Sequence, residues 1–191
     1  MKVGVLALQG AFARHIQVLG GLGAATTEVR TTADLLEVDA LVLPGGESTT
    51  MSMLLDSSGL HDAVADRITS GMPVLGTCAG MILLARHVAD GRPDQRSFAA
   101  IEIDVLRNGY GRQVDSFEAD LDVTGLDEPF HGVFIRAPVV EWVGDGVEVL
   151  GTVDGRPVLC RQGAVVVASF HPEMSGDGRI HGWFLDTAFA A

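Results

Sequence analysis

Apolar positions in this chain cluster into short continuous runs, separated by segments with helical spacing. Residues 3–8, 39–43 and 72–77 are apolar at nearly every position. That is the signature of strands buried on both faces of a parallel sheet. A shorter strand is expected over 26–30. Between these runs, 12–22 has Ile16 and Leu19 on one face and reads as a helix. A second helix is expected to start with Ser48 or Thr49 as its cap and to run through Leu55. Further helices are expected over 60–69 and 79–88. After about residue 100 the pattern changes. Ile101-Glu102-Ile103-Asp104-Val105 alternates apolar and polar residues, as a half-exposed strand does. Short strands are expected near 117–121, 133–136, 147–152, 157–161 and 164–169, with a closing helix over 178–189. Strands alternating with helices imply an α/β fold, with an open, mainly parallel sheet and flanking helices. One domain over 1–191 is expected, since there are no repeats and no linker long enough to divide the chain.

The strand over 72–77 ends in Gly76-Thr77-Cys78-Ala79-Gly80. Small residues on both sides of a cysteine let a strand turn sharply into a helix, the turn that presents serine nucleophiles in G-x-S-x-G hydrolases. The cysteine then stands at a helix N-terminus, where the dipole favours thiolate. Far downstream, the apolar run Ala164–Ala168 leads into Ser169-Phe170-His171-Pro172-Glu173. In extended chain, residues two apart point to the same side. His171 can therefore face Cys78 while Glu173 approaches the other ring nitrogen, giving nucleophile, base and orienting carboxylate. Taken alone, each half has a plainer reading, because free cysteines are usually packing residues. Their coincidence at two strand ends is what carries the signal. Cys160, in Pro157-Val158-Leu159-Cys160, has no glycine turn and reads as core. The loops at 9–10, 44–48 and 76–80 all follow strands. They can converge beyond the carboxyl edge of the sheet, where open α/β sheets bind ligands.

Composition narrows the setting. The 191 residues are 47% hydrophobic, with a net charge of −12. Such an acidic balance argues against nucleic-acid partners. No apolar run approaches the roughly 18 residues of a membrane span. The first residues faintly resemble a signal peptide, but the apolar stretch is short and Gln9-Gly10 leads into a helical pattern. Two cysteines make no disulfide framework, so a reducing cytoplasm is expected. His15, His61, His87, His131 and His181 show no metal-ligand spacing and read as surface or internally satisfied residues.

PGGES at 44–48, GTCAG at 76–80 and SFHPE at 169–173, in this order, resemble the class I (triad) glutamine amidotransferases. The segments at 6–11, 43–51, 76–81, 107–121, 132–138 and 169–173 resemble, more narrowly, the glutaminase subunits of pyridoxal 5′-phosphate synthase. The resemblance covers nearly the whole chain; 90–100 and 174–177 look like variable stretches. It implies the flavodoxin-like architecture of class I glutamine amidotransferases. The implied activity is hydrolysis of L-glutamine to glutamate and ammonia, with Cys78, His171 and Glu173 as the catalytic triad and no cofactor or metal. It also implies a glutamine site of Gly46, Glu47, Ser48, Arg107, Ile135 and Arg136. Glu47 suits the substrate ammonium, and Arg107 or Arg136 its carboxylate. Backbone N–H groups of Gly46 and Ala79 are the candidate oxyanion hole, with Gln9 as a candidate support of that loop. The implied partner is a (β/α)₈-barrel synthase subunit, in a twelve-plus-twelve assembly that makes pyridoxal 5′-phosphate. Two rivals remain. One is a cysteine peptidase or deglycase on a similar sheet, a class that often places histidine directly after the nucleophile, where this chain has Ala79. The other is a non-catalytic regulatory subunit, against which the intact Cys78, His171 and Glu173 argue.

Overall fold

The structure is a computed structural model that describes residues 2–107, 109 and 116–189. Part of the 107–121 segment singled out above, namely 108 and 110–115, lies outside the described residues. The chain begins with β1 (Lys2–Leu6), α1 (Phe12–Gly21), β2 (Ala25–Val29), α2 (Thr32–Leu36) and β3 (Ala40–Leu43). It continues through α3 (Ser48–Ser57), α4 (Leu60–Thr69), β4 (Val74–Thr77), α5 (Ala79–Leu84), β5 (Ala85–Val88) and β6 (Ile101–Leu106). The rest is β7 (Phe117–Leu121), β8 (Phe130–Phe134), β9 (Val139–Val143), β10 (Glu148–Val153), β11 (Arg156–Gln162), β12 (Val165–Ala168) and α6 (Arg179–Phe189), with a 3₁₀ turn at Pro172–Met174 before α6.

The main sheet has seven strands in the order β10-β11-β12-β4-β3-β1-β2. The strands from β12 to β2 are parallel, and β10 and β11 add an antiparallel edge. Both faces are covered, which is why the central strands read as unbroken apolar runs. Along β3, Leu41 and Leu43 pack into one core with Met51, Leu55, Leu60 and Val64 of α3 and α4. Ala40 and Val42 pack into the opposite core with Leu19 of α1 and Ile180 and Phe184 of α6. A three-stranded sheet (β5-β6-β9) and a two-stranded one (β7-β8) flank the main sheet.

Register brings the ends of β3, β4 and β12 level. Gly76 pairs with Leu43 and with Val167, and Thr77 pairs with Ala168. Beyond that line the Cys78 N–H donates to the Ala168 carbonyl at 2.8 Å. The turn into α5 has no room for side chains. A Cβ on Gly80 would lie 2.1 Å from the Leu43 carbonyl oxygen.

Four local expectations need correction. The helix after the elbow ends at Leu84, and residues 85–88 are strand β5 rather than its continuation to 88. The Leu83 and Leu84 carbonyls accept from Phe98 and Ala100 at 2.7 and 2.8 Å, so the chain leaves the helix for sheet pairing with a distant segment. Glu47, not Ser48 or Thr49, caps α3; its carboxylate accepts from the N–H groups of Thr49 and Thr50. The strand expected at 133–136 runs over Phe130–Phe134, because Arg136 has φ of 44° and cannot continue it. Helix α2 and strand β9 were not anticipated. α2 is a five-residue turn fixed by a capping box between Thr31 and Asp34.

The crowding at Gly80 generates a prediction. Gly80→Ala should cost about 2–3 kcal/mol, because the clash is with backbone that cannot rotate away. Gly20→Ala, in α1 with open space around it, should gain roughly 0.5 kcal/mol. Urea unfolding of both variants checks the contrast, and similar stabilities would contradict it.

Candidate active site

The carboxyl ends of β1, β3, β4 and β12 enclose a cleft of about 360 Å³. Its walls include Gln9, Gly10, Gly46, Glu47, Ser48, Cys78, Arg107, Ile135, Arg136 and His171. Every candidate substrate-binding residue named from the sequence therefore faces one space. Ala79 lies at its edge as the first residue of α5, and Glu173 lies buried behind it.

Cys78 has φ of 50° and ψ of −103°, the strained backbone of a nucleophile elbow. Its sulfur lies 3.9 Å from the Ile135 carbonyl oxygen, to which the thiol can donate. His171 enters from the end of β12, and its own N–H donates to the Val133 carbonyl of β8 at 2.8 Å. His171 Nδ1 is 2.7 Å from Glu173 Oε1. That contact takes Nδ1 and leaves Nε2 for the thiol. Burial opposes charge on the His171 ring, but hydrogen bonds with Cys78 and Glu173 outweigh it and raise the pKa to about 10. For Glu173, burial pushes upward, but His171 and the nearby His15 hold the carboxyl below its ordinary value. Gly45 lies against this pair: a Cβ there would sit 2.4 Å from His171 Cε1 and 3.4 Å from Cys78 Cβ.

The neighbouring loop is braced. The Gly45 carbonyl accepts from Ala11 N–H at 3.0 Å, fixing the Gly45–Gly46 peptide in one orientation. Gln9 Oε1 accepts from Glu47 N–H at 3.0 Å, the supporting place anticipated for Gln9. Ala79 N–H belongs to the first turn of α5, whose donors have no helical acceptor.

The charged residues are arranged differently from the sequence picture. Glu47 and Arg107, assigned to opposite ends of the substrate, are paired with each other at 2.9 Å. Burial raises the Glu47 pKa, but the bonds from Thr50 and Thr49 overcome it and bring it to about 2. Arg107 also donates to Gln95 Oε1 at 3.3 Å. Among the described residues no hydrogen bond or ion pair holds Arg136. Ser48 Oγ is buried and has no hydrogen-bond partner among them.

Three contributors escaped the sequence reading. Gln95 belongs to the 90–100 stretch, which looked variable. Arg96 pins that stretch to α3 and α4 through Asp56 at 2.7 Å and Asp62 at 2.8 Å. His15 and His181 were read as surface or satisfied; both are fully buried, directly behind Glu173. Their signal was a polar residue on an apolar stripe: His15 shares a helix face with Phe12 and Leu19, and His181 follows Ile180. His87 and His131 are at the surface, while His61 is buried against Phe98. Cys160 is buried filler, its thiol pushed up to about 12 by burial. Among the described residues, no group of three or more His, Cys, Asp or Glu side chains is arranged to hold a metal.

The sequence pattern of the SNO glutamine amidotransferase family matches residues 5–190. The chain belongs to this family. It is 55% identical over 195 aligned positions to "Pyridoxal 5'-phosphate synthase subunit PdxT" of Salinispora arenicola, covering 99% of this chain and 97% of that protein. A protein of the same name from Mycobacteroides abscessus is 54% identical, covering 96% of this chain and 95% of its own length. A solved structure described as "Crystal structure of glutamine amidotransferase" superposes with a TM-score of 0.92 at 50% identity, covering 97% of this chain and 98% of that one. The open α/β sheet with flanking helices is thus the fold of this family, as expected.

The buried histidines give the amidotransferase a specific acid sensitivity. Burial, the largest influence on each, lowers His15 from 6.5 to about 4 and His181 from 6.5 to about 3. Below pH 6.5 the unfolded chain takes up protons that the folded chain refuses, so stability falls as pH drops from about 6.5 toward 4. Above that window the two contribute no slope. The slope should approach about 1.4 kcal/mol per pH unit for each histidine. Thermal melts across this range should show it, with a shallower dependence in His181→Gln. An equal slope in that variant would contradict the assignment.

Proposed function

We propose that this chain, acting as one glutaminase domain over 1–191, hydrolyses L-glutamine and delivers the ammonia to a synthase partner that makes pyridoxal 5′-phosphate. The observation that carries the reading is the 2.7 Å bond between His171 and Glu173 beside a cysteine on a strained elbow, all serving one cleft. The names of the relatives support the biosynthetic setting. Cys78 attacks the side-chain amide carbon with its thiol proton passed to His171 Nε2; the raised pKa of His171 favours the imidazolium that this transfer produces. The C–N bond breaks as His171 returns a proton to the leaving ammonia. Water then hydrolyses the thioester, with His171 again as base. Glu173 holds the ring in the tautomer that exposes Nε2 and stabilises the imidazolium. Ala79 N–H and Gly46 N–H serve the developing oxyanion.

For the rest of the substrate, Arg136 is the better partner for the carboxylate than Arg107, which Glu47 already neutralises. Glu47 keeps its charge at working pH, and it receives the ammonium in exchange for its bond to Arg107. Ser48 Oγ, buried without a partner, is suited to a polar group of bound glutamine. The synthase partner in this reading is a (β/α)₈ barrel in a twelve-plus-twelve assembly. Both cysteines are free, in keeping with work in the cytoplasm. Among the described residues no helix is long and apolar enough to cross a membrane.

Cys78→Ala should abolish glutamine-dependent turnover of the synthase complex, while added ammonia still supports it. His171→Ala should be nearly as damaging, and Glu173→Gln less so, because Glu173 moves no proton. Coupled assays with glutamine or ammonia as nitrogen source measure this. Wild-type turnover in Cys78→Ala would refute the nucleophile.

Partner dependence has a physical basis in the loop at Gly45. Turning the Gly45–Gly46 peptide breaks its bond to Ala11 N–H, a net change of about 1 kcal/mol that docking can supply. Glutaminase activity should therefore be low in the isolated chain and rise on adding the synthase, mainly in kcat. Steady-state kinetics at saturating glutamine will show whether it does; full activity without the partner would remove this control.

A further inference from the structure

Two buried histidines lie behind Glu173, where the reaction as described makes no use of them. His15 comes from α1 and His181 from α6. His15 Nδ1 is 2.9 Å from His181 Nε2. On the other side of the ring, His15 Nε2 is 3.2 Å from Thr77 Oγ1 and 3.4 Å from Glu173 Oε2. The Glu173 side chain is 0% exposed, and among the described residues only its Oε1 is hydrogen-bonded, to His171. Oε2 lies within ion-pair distance of His15 but outside hydrogen-bonding geometry.

A carboxylate held through one oxygen is poorly oriented, because the terminal torsion of glutamate is broad. The backbone adds little, since Glu173 sits on a three-residue 3₁₀ turn. Something must hold the second oxygen, and His15 is the group that reaches it. The titratable groups facing His15 are Glu173, His171 and His181. Burial keeps both histidines neutral, so each ring carries one proton. The Glu173 anion then selects the arrangement. His15 Nε2–H is directed at Thr77 Oγ1 and stands 3.4 Å from Oε2, so the positive end of its dipole faces the carboxylate. His15 Nδ1 must accept, so His181 Nε2–H donates. His181 Nδ1 is left as a bare lone pair, and that atom is buried without a partner. The reverse arrangement would bury an orphaned N–H on His181 and set two lone pairs against each other at Glu173. Orphaned buried donors are the rarer and costlier defect.

We propose that His15, backed by His181, is a positioning residue for the glutaminase reaction: a neutral histidine pair whose fixed tautomers steady the outer oxygen of Glu173 so that its inner oxygen stays on His171. This rests on the reading of Cys78, His171 and Glu173 as a catalytic triad.

The test combines kinetics of the intact synthase complex with nitrogen-15 NMR of histidine-labelled chain. His15→Leu removes the N–H while keeping an apolar side chain; His15→Gln restores an amide N–H near the same place. His15→Leu should lower kcat by about 10- to 100-fold, the scale of a misplaced catalytic group, with KM changed less than about twofold. His15→Gln should recover most of that loss. In the unsubstituted chain, both rings should show the Nε2–H tautomer without titrating between about pH 5 and 8. Wild-type kcat in a folded His15→Leu overturns the proposal, as does an Nδ1–H tautomer or a titrating ring at His15. The NMR measurement needs no variant, so it decides the point even if His15→Leu does not fold. Absence of glutamine hydrolysis by the unsubstituted complex would instead overturn the triad reading beneath it.

Discussion

Two backbones touch where β3 and β4 end, and the position of Cys78 depends on that contact. Gly80, in the first turn of α5, has only space enough for a hydrogen against the Leu43 carbonyl. The helix can therefore start directly at the sheet edge, and Cys78 is forced into its left-handed turn with the sulfur facing the cleft. The same closeness recurs at Gly45, which lies against both the His171 ring and Cys78. Missing side chains at these two positions let three strand ends approach until their loops share one cleft. Side chains of any size would separate the nucleophile from its base.

Electrostatics divides that cleft into two environments. Glu173 is buried among His171, His15 and His181, so a proton at His171 is governed by hydrogen bonds and burial. At the mouth, Glu47 is partly exposed and anchored by the N-terminus of α3, with Arg107 opposite it. The first environment holds buried titratable groups in direct contact. The second holds fixed charges, and among the described residues neither Arg136 nor Ser48 Oγ has a hydrogen-bond partner there.

The flanking strands are part of the site rather than decoration. β8 holds the His171 backbone through Val133, and the residue after it offers a carbonyl to the Cys78 thiol. The 89–100 segment, polar and unremarkable in composition, is tied down by Arg96 and brings Gln95 to Arg107. Elements remote from the sheet edge in sequence thus brace both the base and the charged mouth.

The sequence alone determined the parallel strands, because unbroken apolar runs have no other use in a soluble α/β sheet. It determined the elbow, because small residues around Cys78 are a local steric requirement. It pointed to a partnership of His171 with Glu173, but on the premise of extended chain; the structure makes that contact through a 3₁₀ turn at Pro172–Met174 instead. Tertiary structure decided the rest. Whether residues 85–88 stay helical depended on carbonyls claimed by Phe98 and Ala100, a contact no local propensity encodes. Whether Glu47 waits as a free carboxylate or caps a helix and binds Arg107 depended on where two distant segments meet. The places of His15 and His181 were legible only as polar interruptions of apolar stripes. Their convergence on Glu173 required α1, α6 and the end of β12 to pack together, and burial gave them their properties only then.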